Sequence, residues 1–475
     1  MSPSEYRAAL ESLYRRRRFG LKPGLEVIER LLEALGHPER RYPAVHITGS
    51  KGKGSVAVMT QSILTAHGLR VGLFTSPHLV SYRERVRIDG EPVDRDAVAD
   101  GLARVDAATR RLVATGAIDR EPTFFEATTA LALDTFARRS VDAAVVEVGI
   151  GGRLDATNVL SSRVGVITTV ELEHTDLLGS TVVEIAREKA GIFHRGMVGL
   201  LGTLPTDAEQ VVRSITDGLA VPTERLGHEL AVTDRLLTPN GQTISVRLAG
   251  ETLEAIRLPL LGSFQPGNAA LALGAARHFL ESLGRRFQPK AARHGIAGVV
   301  WPGRLERRPG RPERFLDVAH TPESARAVAQ SLGEIAPFAD PADCAIVFGA
   351  LRGKSVGPIL DALSPLAHTL VLVPVASERT LSPEELRPFA VGRFPRIVRA
   401  PSVKAGVALA ESAARPGGYL LVVGSDYLVG EWLREQGEEP TDEPDLSDPG
   451  TETRRPTGPV IGAPGRSAPG SGNRS

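Results

Sequence analysis

A short segment rich in glycine, lysine and serine carries the clearest chemical signal in this chain. Residues 49–55 read Gly-Ser-Lys-Gly-Lys-Gly-Ser, between an apolar β-branched run and a stretch with apolar residues every three or four positions. Glycines let backbone N–H groups curl around phosphate oxygens, and the N-terminus of a following helix adds unpaired donors. The pattern predicts a strand, a phosphate-binding loop and a helix, with Lys53 reaching the outer phosphates and Ser55 able to hold Mg²⁺. An ordinary glycine turn is the alternative.

A carboxylate follows a second apolar run. Residues 145–153 read Val-Val-Glu-Val-Gly-Ile-Gly-Gly-Arg, which places Glu147 near the carboxyl end of a buried strand, where open α/β sheets collect ligands. A carboxylate beside phosphates is a suitable Mg²⁺ ligand. The alternative is a structural glutamate closed by a local salt bridge to Arg153. The glycines do not complete a dinucleotide fingerprint, because Leu154 stands where its last glycine belongs.

A histidine and a lysine are weaker candidates. His174 follows the apolar segment 164–170, and a structural role and a ligand role remain about equally open for it. Lys189 lies near the end of a helical pattern; by itself it is typical of a surface charge at a helix C-terminus, capped by Gly191.

Alternating strand and helix patterns predict the sheet that must position these groups. The alternation, with strands apolar on consecutive residues, favours doubly wound parallel sheets. Residues 220–258 differ, because their alternating pattern and turn pairs predict an antiparallel excursion. The predicted strands are 45–48, 71–75, 143–148, 164–170, 197–201, 345–348, 369–373 and 419–423, and the predicted helices are 96–113, 124–138, 182–190, 269–283, 322–335 and 403–414.

A proline- and glycine-containing break and a change in composition divide the chain into two domains and a tail. Proline and glycine near residues 299–303 predict a boundary, after which a new strand–helix alternation begins. We therefore expect a P-loop-type doubly wound ATPase domain over residues 1–300 and a smaller Rossmann-like α/β domain over 301–436. Residues 437–475 have almost no large apolar side chains, so we expect a disordered tail.

Bulk composition excludes some classes of partner. The 475 residues carry a net charge of +1, so no global field attracts nucleic acid or a membrane surface. The chain has one cysteine, Cys344, within an apolar run, which excludes an internal disulfide and a cysteine metal cluster. We expect a cytoplasmic protein.

The ordered set of motifs resembles the folylpolyglutamate synthase and dihydrofolate synthase family of Mur-type ATP-dependent amide ligases. The resemblance covers roughly residues 20–435. It rests on the phosphate loop, Glu147 and His174-Thr175, and on the segments 75–79 (Thr-Ser-Pro-His-Leu), 149–158 (GIGGRLDATN), 188–192 (EKAGI), 268–271 (NAAL), 301–304 (WPGR), 317–320 (DVAH) and 424–430 (GSDYLVG).

The resemblance implies an ATP site built from the phosphate loop and from later motifs. The matching residues are Gly49, Gly52, Lys53, Gly54, Ser55, Asn268, Arg304, Asp317 and His320. Asp317 and His320 would also touch the incoming L-glutamate. Residues 76–83 and 124–125 would line the pocket for the pteridine-bearing substrate.

The resemblance also implies two Mg²⁺ ions and a set of catalytic residues. The lysine matching Lys189 is often carbamylated in the family, which turns a cation into an oxygen ligand. The implied metal ligands are Ser55, Ser76, Glu147, His174 and Lys189, and the implied catalytic residues are Lys53, Glu147, His174, Lys189 and His320.

The implied reaction is the ATP-dependent addition of L-glutamate to dihydropteroate, to reduced folates or to both, through an acyl phosphate, by a monomer. A folylpolyglutamate synthase alone and a non-catalytic paralogue that binds ATP or folate are alternatives. Only 48 residues precede Gly49, which disfavours the nucleotide-sugar-binding domain of ~100 residues that cell-wall Mur ligases carry there. A GTPase-like switch would need a guanine-reading Asn-Lys pair, and the chain has none.

Several positions depart from the commoner family pattern. They are Ser50, Lys51, Glu173, Phe264, Thr321 and Arg352. None removes an implied phosphate or metal ligand, but together they leave the preferred pterin substrate open.

Overall fold

The computed structural model describes residues 3–16, 24–238 and 240–437. The predicted tail therefore lies outside the described residues, except for Gly437. Among the described helices, none is long and apolar enough to cross a membrane.

An eight-stranded sheet organises the N-terminal part of the chain, in the order β4-β3-β2-β5-β1-β6-β7-β8. The six strands from β2 to β8 run parallel, and β3 and β4 are antiparallel additions at one edge. This arrangement confirms the doubly wound prediction. The strands are β1 (Ala44–Thr48), β2 (Val71–Phe74), β3 (Val86–Ile88), β4 (Glu91–Pro92), β5 (Ala143–Glu147), β6 (Ser162–Ile167), β7 (Val198–Leu201) and β8 (Thr223–Arg225).

Helices cover both faces of this sheet because its central strands alternate between two cores. Val45 and Val145 join one apolar cluster, whereas Ala144 and Val146 join another on the opposite face. The helices are α1 (Pro3–Arg15), α2 (Glu26–Ala34), α3 (Lys53–Ala66), α4 (Arg95–Ala114), α5 (Phe124–Arg138), α6 (Thr175–Leu178), α7 (Val182–Ala190), α8 (Thr206–Gly218), α9 (Gln265–Ser282) and α10 (Pro289–Ala297).

A separate three-stranded antiparallel sheet follows. Its strands are β9 (Leu230–Thr238), β10 (Gly241–Leu248) and β11 (Glu251–Leu258), with β10 in the centre. The predicted antiparallel excursion is thus confirmed for residues 230–258. It is wrong for β8, which pairs in parallel with β7, because three residues are too few to reveal a strand's periodicity or partner.

A six-stranded sheet forms the second α/β unit, in the order β12-β13-β17-β14-β15-β16. All its pairs are parallel except β12 with β13. Its strands are β12 (Arg304–Arg308), β13 (Glu313–Asp317), β14 (Ala345–Phe348), β15 (Thr369–Leu372), β16 (Arg396–Arg399) and β17 (Tyr419–Val423), and its helices are α11 (Pro322–Ile335), α12 (Val356–Leu363), α13 (Pro383–Ala390), α14 (Val403–Ala413) and α15 (Asp426–Glu435).

Two element limits differ from prediction at places that matter for function. The predicted strand 164–170 ends at Ile167, because Thr168 and Thr169 hydrogen-bond the phosphate loop instead of extending the strand. Helix α9 begins at Gln265, four residues before the predicted start, with Pro266 in its first turn. Asn268 therefore lies in the first turn of a helix.

The two α/β units contact each other through the segment after β2. Val80 is buried in the same apolar cluster as Val318 and Val429 of the second unit, and Leu79 packs against it. A Cβ added at Gly430 of α15 would lie 2.1 Å from the Leu79 carbonyl oxygen. The two backbones approach so closely that only glycine fits at position 430.

We expect Gly430→Ala to destabilise the protein by about 1–3 kcal/mol, because the new methyl group must push α15 away from Leu79. Urea unfolding followed by the fluorescence of Trp432, which is buried in the same helix, measures the change. Gly333→Ala is the matched control, since a Cβ at Gly333 of α11 meets nothing within 4 Å. That control should be neutral or stabilising by up to ~1 kcal/mol. Equal responses of the two variants would contradict the close contact.

Candidate functional site

Parallel pairing places the ends of β5, β1 and β6 side by side. Ile47 aligns with Glu147 on one flank, and Thr48 aligns with Ile167 on the other. Because carboxyl ends of parallel strands meet at one edge of a sheet, the phosphate loop lies between Glu147 and the segment that carries His174.

Residues 168–171 hold the phosphate loop from one side. Ser50 N donates to Thr169 O at 2.9 Å, and Lys51 N donates to Thr169 Oγ1 at 2.9 Å. Glu171 N in turn donates to Ser50 Oγ at 2.9 Å. The loop then turns through Gly52, whose φ of 85° lies in the left-handed region that favours glycine. Contacts within the protein therefore set the shape of the loop.

The start of α9 supports the loop from the other side. Lys53 Nζ donates to Gly49 O at 2.8 Å, within the loop itself. Ser55 is buried, and its Oγ accepts from Gln265 Nε2 at 3.3 Å. Asn268 Nδ2 donates to Gln265 Oε1 at 3.1 Å. The structure thus brings Asn268 to the phosphate loop, and Gln265, one helical turn earlier, is a site residue that the sequence reasoning missed.

Glu147 lies almost fully buried beside the loop, with 5% of its surface exposed. Its Oε2 accepts from Ser76 N at 3.0 Å; among the described residues, no group donates to Oε1. Burial raises the pKa of Glu147, while the charges of Lys53 and Arg304 act to lower it. The carboxylate therefore faces cations and keeps one oxygen available for a metal.

The local alternative for Glu147 is wrong. Arg153 pairs with Glu188 of α7, with Nη2 and Oε1 2.9 Å apart, instead of folding back onto Glu147. The loop that carries Arg153 turns toward α7, which the sequence pattern did not reveal.

Lys189 is buried, contrary to its expected place at the surface. Only 1% of its side chain is exposed, and its Nζ lies 2.8 Å from Glu173 Oε1. Burial lowers the pKa of Lys189 to about 8, against the opposing charge of Glu173. Burial would raise the pKa of Glu173, but Lys53 and Lys189 outweigh it and hold that pKa at about 2. Glu173 is a second site residue that was noted in the sequence without a role.

His174 follows directly and precedes α6. Its backbone has a left-handed φ of 46°, and burial lowers the pKa of its ring. Lys53 and Lys354 also act to lower that pKa, and Glu173 acts to raise it. The imidazole is therefore favoured in its neutral form, which is the form that can bind a metal.

Asp317 is the last residue of β13 in the second unit. Its two carboxylate oxygens accept from Leu305 N and from Ala319 N, each at 2.7 Å. Burial raises the pKa of Asp317 to about 6, and Arg304, its cross-strand partner, acts to lower it. The charge of Arg304 also acts to lower the pKa of Glu147.

His320 lies just beyond the end of β13. Its Nδ1 is 3.1 Å from Val318 O, and burial lowers the pKa of the ring to about 3. Lys354 and Lys51 act in the same direction. The ring is neutral at pH 7; the carbonyl partner assigns the proton to Nδ1 and leaves Nε2 as an acceptor.

The donors fit Mg²⁺ only in combination with phosphate. In the parts of the chain that the structure describes, no cluster of three or more His, Cys, Asp or Glu side chains could hold a metal ion. Ser55, Ser76 and Glu147 nevertheless supply hydroxyl and carboxylate oxygens next to the loop. Mg²⁺ prefers one or two carboxylates together with phosphate oxygens and water, so this donor set suits a Mg²⁺–nucleotide complex.

A buried polar chain behind the site was not expected from the sequence. His46 of β1 is fully buried, and its Nε2 lies 2.8 Å from Thr157 Oγ1. The Thr157 hydroxyl donates to Asp155 Oδ1 at 2.5 Å, so it accepts from the His46 Nε2–H. Burial lowers the pKa of His46 to about 3. His46 lies three residues before the phosphate loop, and nothing in that position in the sequence predicts its contact with Thr157.

Two family models match this chain. The Mur ligase middle domain matches residues 47–276, and the glutamate ligase domain of Mur ligases matches residues 303–426. The second match includes every strand of the six-stranded sheet.

Named relatives are similar over most of the chain. A probable bifunctional folylpolyglutamate synthase/dihydropteroate synthase of Haloferax volcanii is 37% identical over 450 residues, which is 90% of this chain and 51% of that protein. The chain thus spans about half the length of that relative. A dihydrofolate synthase/folylpolyglutamate synthase of Mycobacterium tuberculosis is 37% identical over 388 residues, or 79% of each protein.

A solved structure has the same architecture. Folylpolyglutamate synthase of Mycobacterium tuberculosis, in complex with ADP and AMPPCP, superposes with a TM-score of 0.85 at 33% identity. The match covers 93% of this chain and 100% of that one.

His46 makes stability depend on pH. The folded protein keeps it neutral down to about pH 3, whereas the unfolded chain protonates it below about pH 6.5. The unfolded state binds more protons in this window, so stability rises with pH across it. On acidification from pH 7 to 5 we expect the wild type to lose roughly 2 kcal/mol more unfolding free energy than His46→Gln. Urea titrations at both pH values measure it.

His228→Gln is the matched control, because His228 is exposed. It should keep the pH dependence of the wild type. The same dependence in His46→Gln would mean that His46 does not stay neutral in the folded protein.

Proposed function

This chain belongs to the folylpolyglutamate synthase and dihydrofolate synthase family of Mur-type ligases, and we propose that it is an ATP-dependent ligase for L-glutamate. The acceptor is dihydropteroate, a reduced folate or both. The chain covers only about half of the Haloferax relative, so the proposal concerns the ligase reaction alone. It includes the expectation of a monomer in the cytoplasm.

One observation carries the proposal: parallel pairing places the buried carboxylate of Glu147 directly beside the phosphate loop. Lys53 and Ser55 lie in or just after that loop, so a cation, a hydroxyl and a carboxylate meet at one glycine-rich turn. This set suits a nucleoside triphosphate bound with Mg²⁺. The charge of Arg304 acts to lower the pKa of both Glu147 and Asp317, which agrees with the nucleotide contacts implied for Arg304 and Asp317.

The reaction must first activate a carboxylate, which is a poor electrophile. An oxygen of the acceptor carboxylate attacks the γ-phosphorus of ATP, and ADP leaves with the electrons of the broken P–O bond. Lys53 and Arg304 stabilise the charge on the transferring phosphoryl group. The amine of L-glutamate then attacks the acyl carbon, loses a proton and expels phosphate, which leaves an amide.

The residues near the loop would hold Mg²⁺ together with the nucleotide. Ser55, Ser76, Glu147 and His174 would supply ligands to one ion, and Lys189, once carbamylated, would supply an oxygen to a second. Bound Mg²⁺ neutralises phosphate charge and so favours attack by an anionic carboxylate.

Carbamylation of Lys189 would make it a metal ligand. The amine must be neutral to attack CO₂; a C–N bond then forms and a proton passes to solvent. A lysine pKa of about 8 provides neutral amine near physiological pH, and Glu173 at 2.8 Å orients the nitrogen.

Acyl phosphates hydrolyse in water, so the site must close before transfer. His320 and Asp317 would contact the nucleotide and the incoming glutamate from the second unit. The glutamate would bind between the units, and their approach would exclude water.

Two alternatives lie within the same family. In the first, the chain would extend reduced folates without accepting dihydropteroate; in the second, it would bind ATP or folate without catalysing ligation. The departures at Lys51, Glu173 and Thr321 bear on the acceptor. The presence of Glu147, His174, Lys189 and Asp317 disfavours a non-catalytic paralogue.

Phosphate release with MgATP and L-glutamate tests the proposal, with dihydropteroate and tetrahydrofolate offered separately and product masses recorded. We expect glutamate-dependent release with at least one acceptor and a product heavier by one glutamyl residue.

Lys53→Met should lower kcat by about 10²–10³-fold, because it removes a cation from the transition state. Lys290→Met, an exposed lysine of α10, is the control and should be fully active. ATP binding without turnover on either acceptor would favour the non-catalytic alternative.

Lys189→Ala should lower kcat by about 10–100-fold through loss of a metal ligand. With ¹³C-bicarbonate, the wild type should give a carbamate resonance that Lys189→Ala lacks and that Lys404→Ala, altered at an exposed lysine of α14, retains. A spectrum identical in wild type and Lys189→Ala would mean that Lys189 acts as an amine.

A further inference from the structure

Residues 149–158 form a motif that the proposed reaction does not use. We infer that this segment, here named the bridging loop, ties the strand that enters the phosphate loop to the end of helix α7. Thr157 and Asn158 would then be positioning residues that set Lys189 relative to Lys53 and Glu147. The effect on catalysis rests on the proposed function. The link between β1 and α7 rests only on the contacts of the bridging loop.

One end of the bridging loop is attached to β1. His46 and Thr48 lie two residues apart, so they share one face of the strand. His46 Nε2 meets Thr157 Oγ1 at 2.8 Å, and Thr48 Oγ1 donates to Gly151 O at 2.5 Å. Both contacts are buried, and Gly49 of the phosphate loop follows Thr48 directly. Any displacement of the bridging loop therefore acts on the strand immediately before the phosphate loop.

Asp155 gives the bridging loop a fixed shape. Its Oδ1 accepts from both the hydroxyl and the N–H of Thr157, the latter at 3.0 Å. Its Oδ2 accepts from Ile150 N at 2.9 Å. With 7% of its surface exposed, this carboxylate is satisfied inside the loop and is not presented to a ligand. The contacts favour a structural link over a substrate contact for Asp155.

The other end of the bridging loop holds the last turn of α7. Arg153 N donates to Glu188 O at 2.9 Å, and Asn158 Nδ2 donates to Gly191 O at 3.0 Å. These bonds satisfy carbonyls that a helix leaves unpaired at its C-terminus. Lys189 lies between the two attachment points, so the turn that carries it is held on both sides.

Glycines allow the two backbones to meet. A Cβ at Gly152 would lie 2.8 Å from Lys189 O, and a Cβ at Gly191 would lie 2.3 Å from Arg153 Cβ. The contact therefore needs glycine on each partner, which accounts for two of the glycines in the motifs 149–158 and 188–192.

The geometric consequence concerns Lys189. Its side chain is buried and joined to Glu173, and its pKa is affected by Lys53 of the phosphate loop. The bridging loop is thus a second connection, besides the sheet, between the lysine of α7 and the lysine of the phosphate loop. Residues that orient metal-binding side chains from behind commonly affect activity 10–100-fold when replaced.

Hydrogen–deuterium exchange of Thr157→Val tests the bridge without reference to activity. Valine keeps the shape of threonine but removes the hydroxyl that joins His46 to Asp155. We expect amides of residues 188–193 to exchange about tenfold faster, the effect of losing roughly one net hydrogen bond. Thr157→Ser keeps the hydroxyl and should restore the rate of the wild type. Thr135→Val removes a buried hydroxyl that donates to Leu131 O of its own helix, and it should leave exchange at residues 188–193 unchanged.

Asn158→Ala is the second variant, chosen because Asn158 is only half-buried and its loss should not prevent folding. It too should speed exchange at residues 188–193. Exchange unchanged there in both Thr157→Val and Asn158→Ala, while each variant is folded, would overturn the inference even if the ligase reaction is real.

Steady-state kinetics on the same variants test the positioning role. We expect kcat to fall by about 10–100-fold, the apparent Mg²⁺ activation constant to rise and KM for ATP to stay constant, with rescue in Thr157→Ser. A rise in KM for the acceptor alone would instead make the loop a substrate contact and would overturn the inference. If the wild type proves inactive while exchange responds as expected, the proposed function fails and the bridge stands.

Discussion

The parallel hydrogen bonding of β5, β1 and β6 is the constraint on which the site depends. Each strand is buried over most of its length, and each ends at the same edge of the sheet. The polar residues that follow these strands are therefore brought together although paired residues such as Ile47 and Glu147 lie 100 positions apart in the chain. Shifting one strand by a single residue would reverse which side chains face each core, so burial on both faces also sets the register.

Burial also determines the charge state of the groups assembled there. Desolvation raises the pKa of Glu147 and Asp317 and lowers that of Lys189, His174 and His320. Each shift makes the neutral form easier to reach, yet opposite charges nearby oppose several of them. Lys189 and Glu173 are the clearest case, since their ion pair is nearly out of solvent and removal of either partner would leave a buried charge.

Three supports converge on the phosphate loop from different elements. Thr169 and Glu171 hold its start, Gln265 holds Ser55, and the bridging loop holds the strand that leads into it. None of these supports need touch a substrate. Together they restrict a glycine-rich segment that would otherwise be flexible, and so they lower the entropy cost of binding phosphate.

The sequence alone determined the kinds of element, the chemistry of the phosphate loop and the family to which the motifs belong. Local periodicity is enough for α5, α7 and α11, whose bounds match prediction to the residue, and residue type is enough to mark Lys53 and Glu147. Tertiary structure alone decided that Lys189 is buried, that Arg153 pairs with Glu188 and that Gln265 and the His46–Thr157–Asp155 chain support the site. Those contacts join residues up to 210 positions apart in the chain, and side-chain partners at such separations are chosen by strand order and packing, which local patterns do not contain.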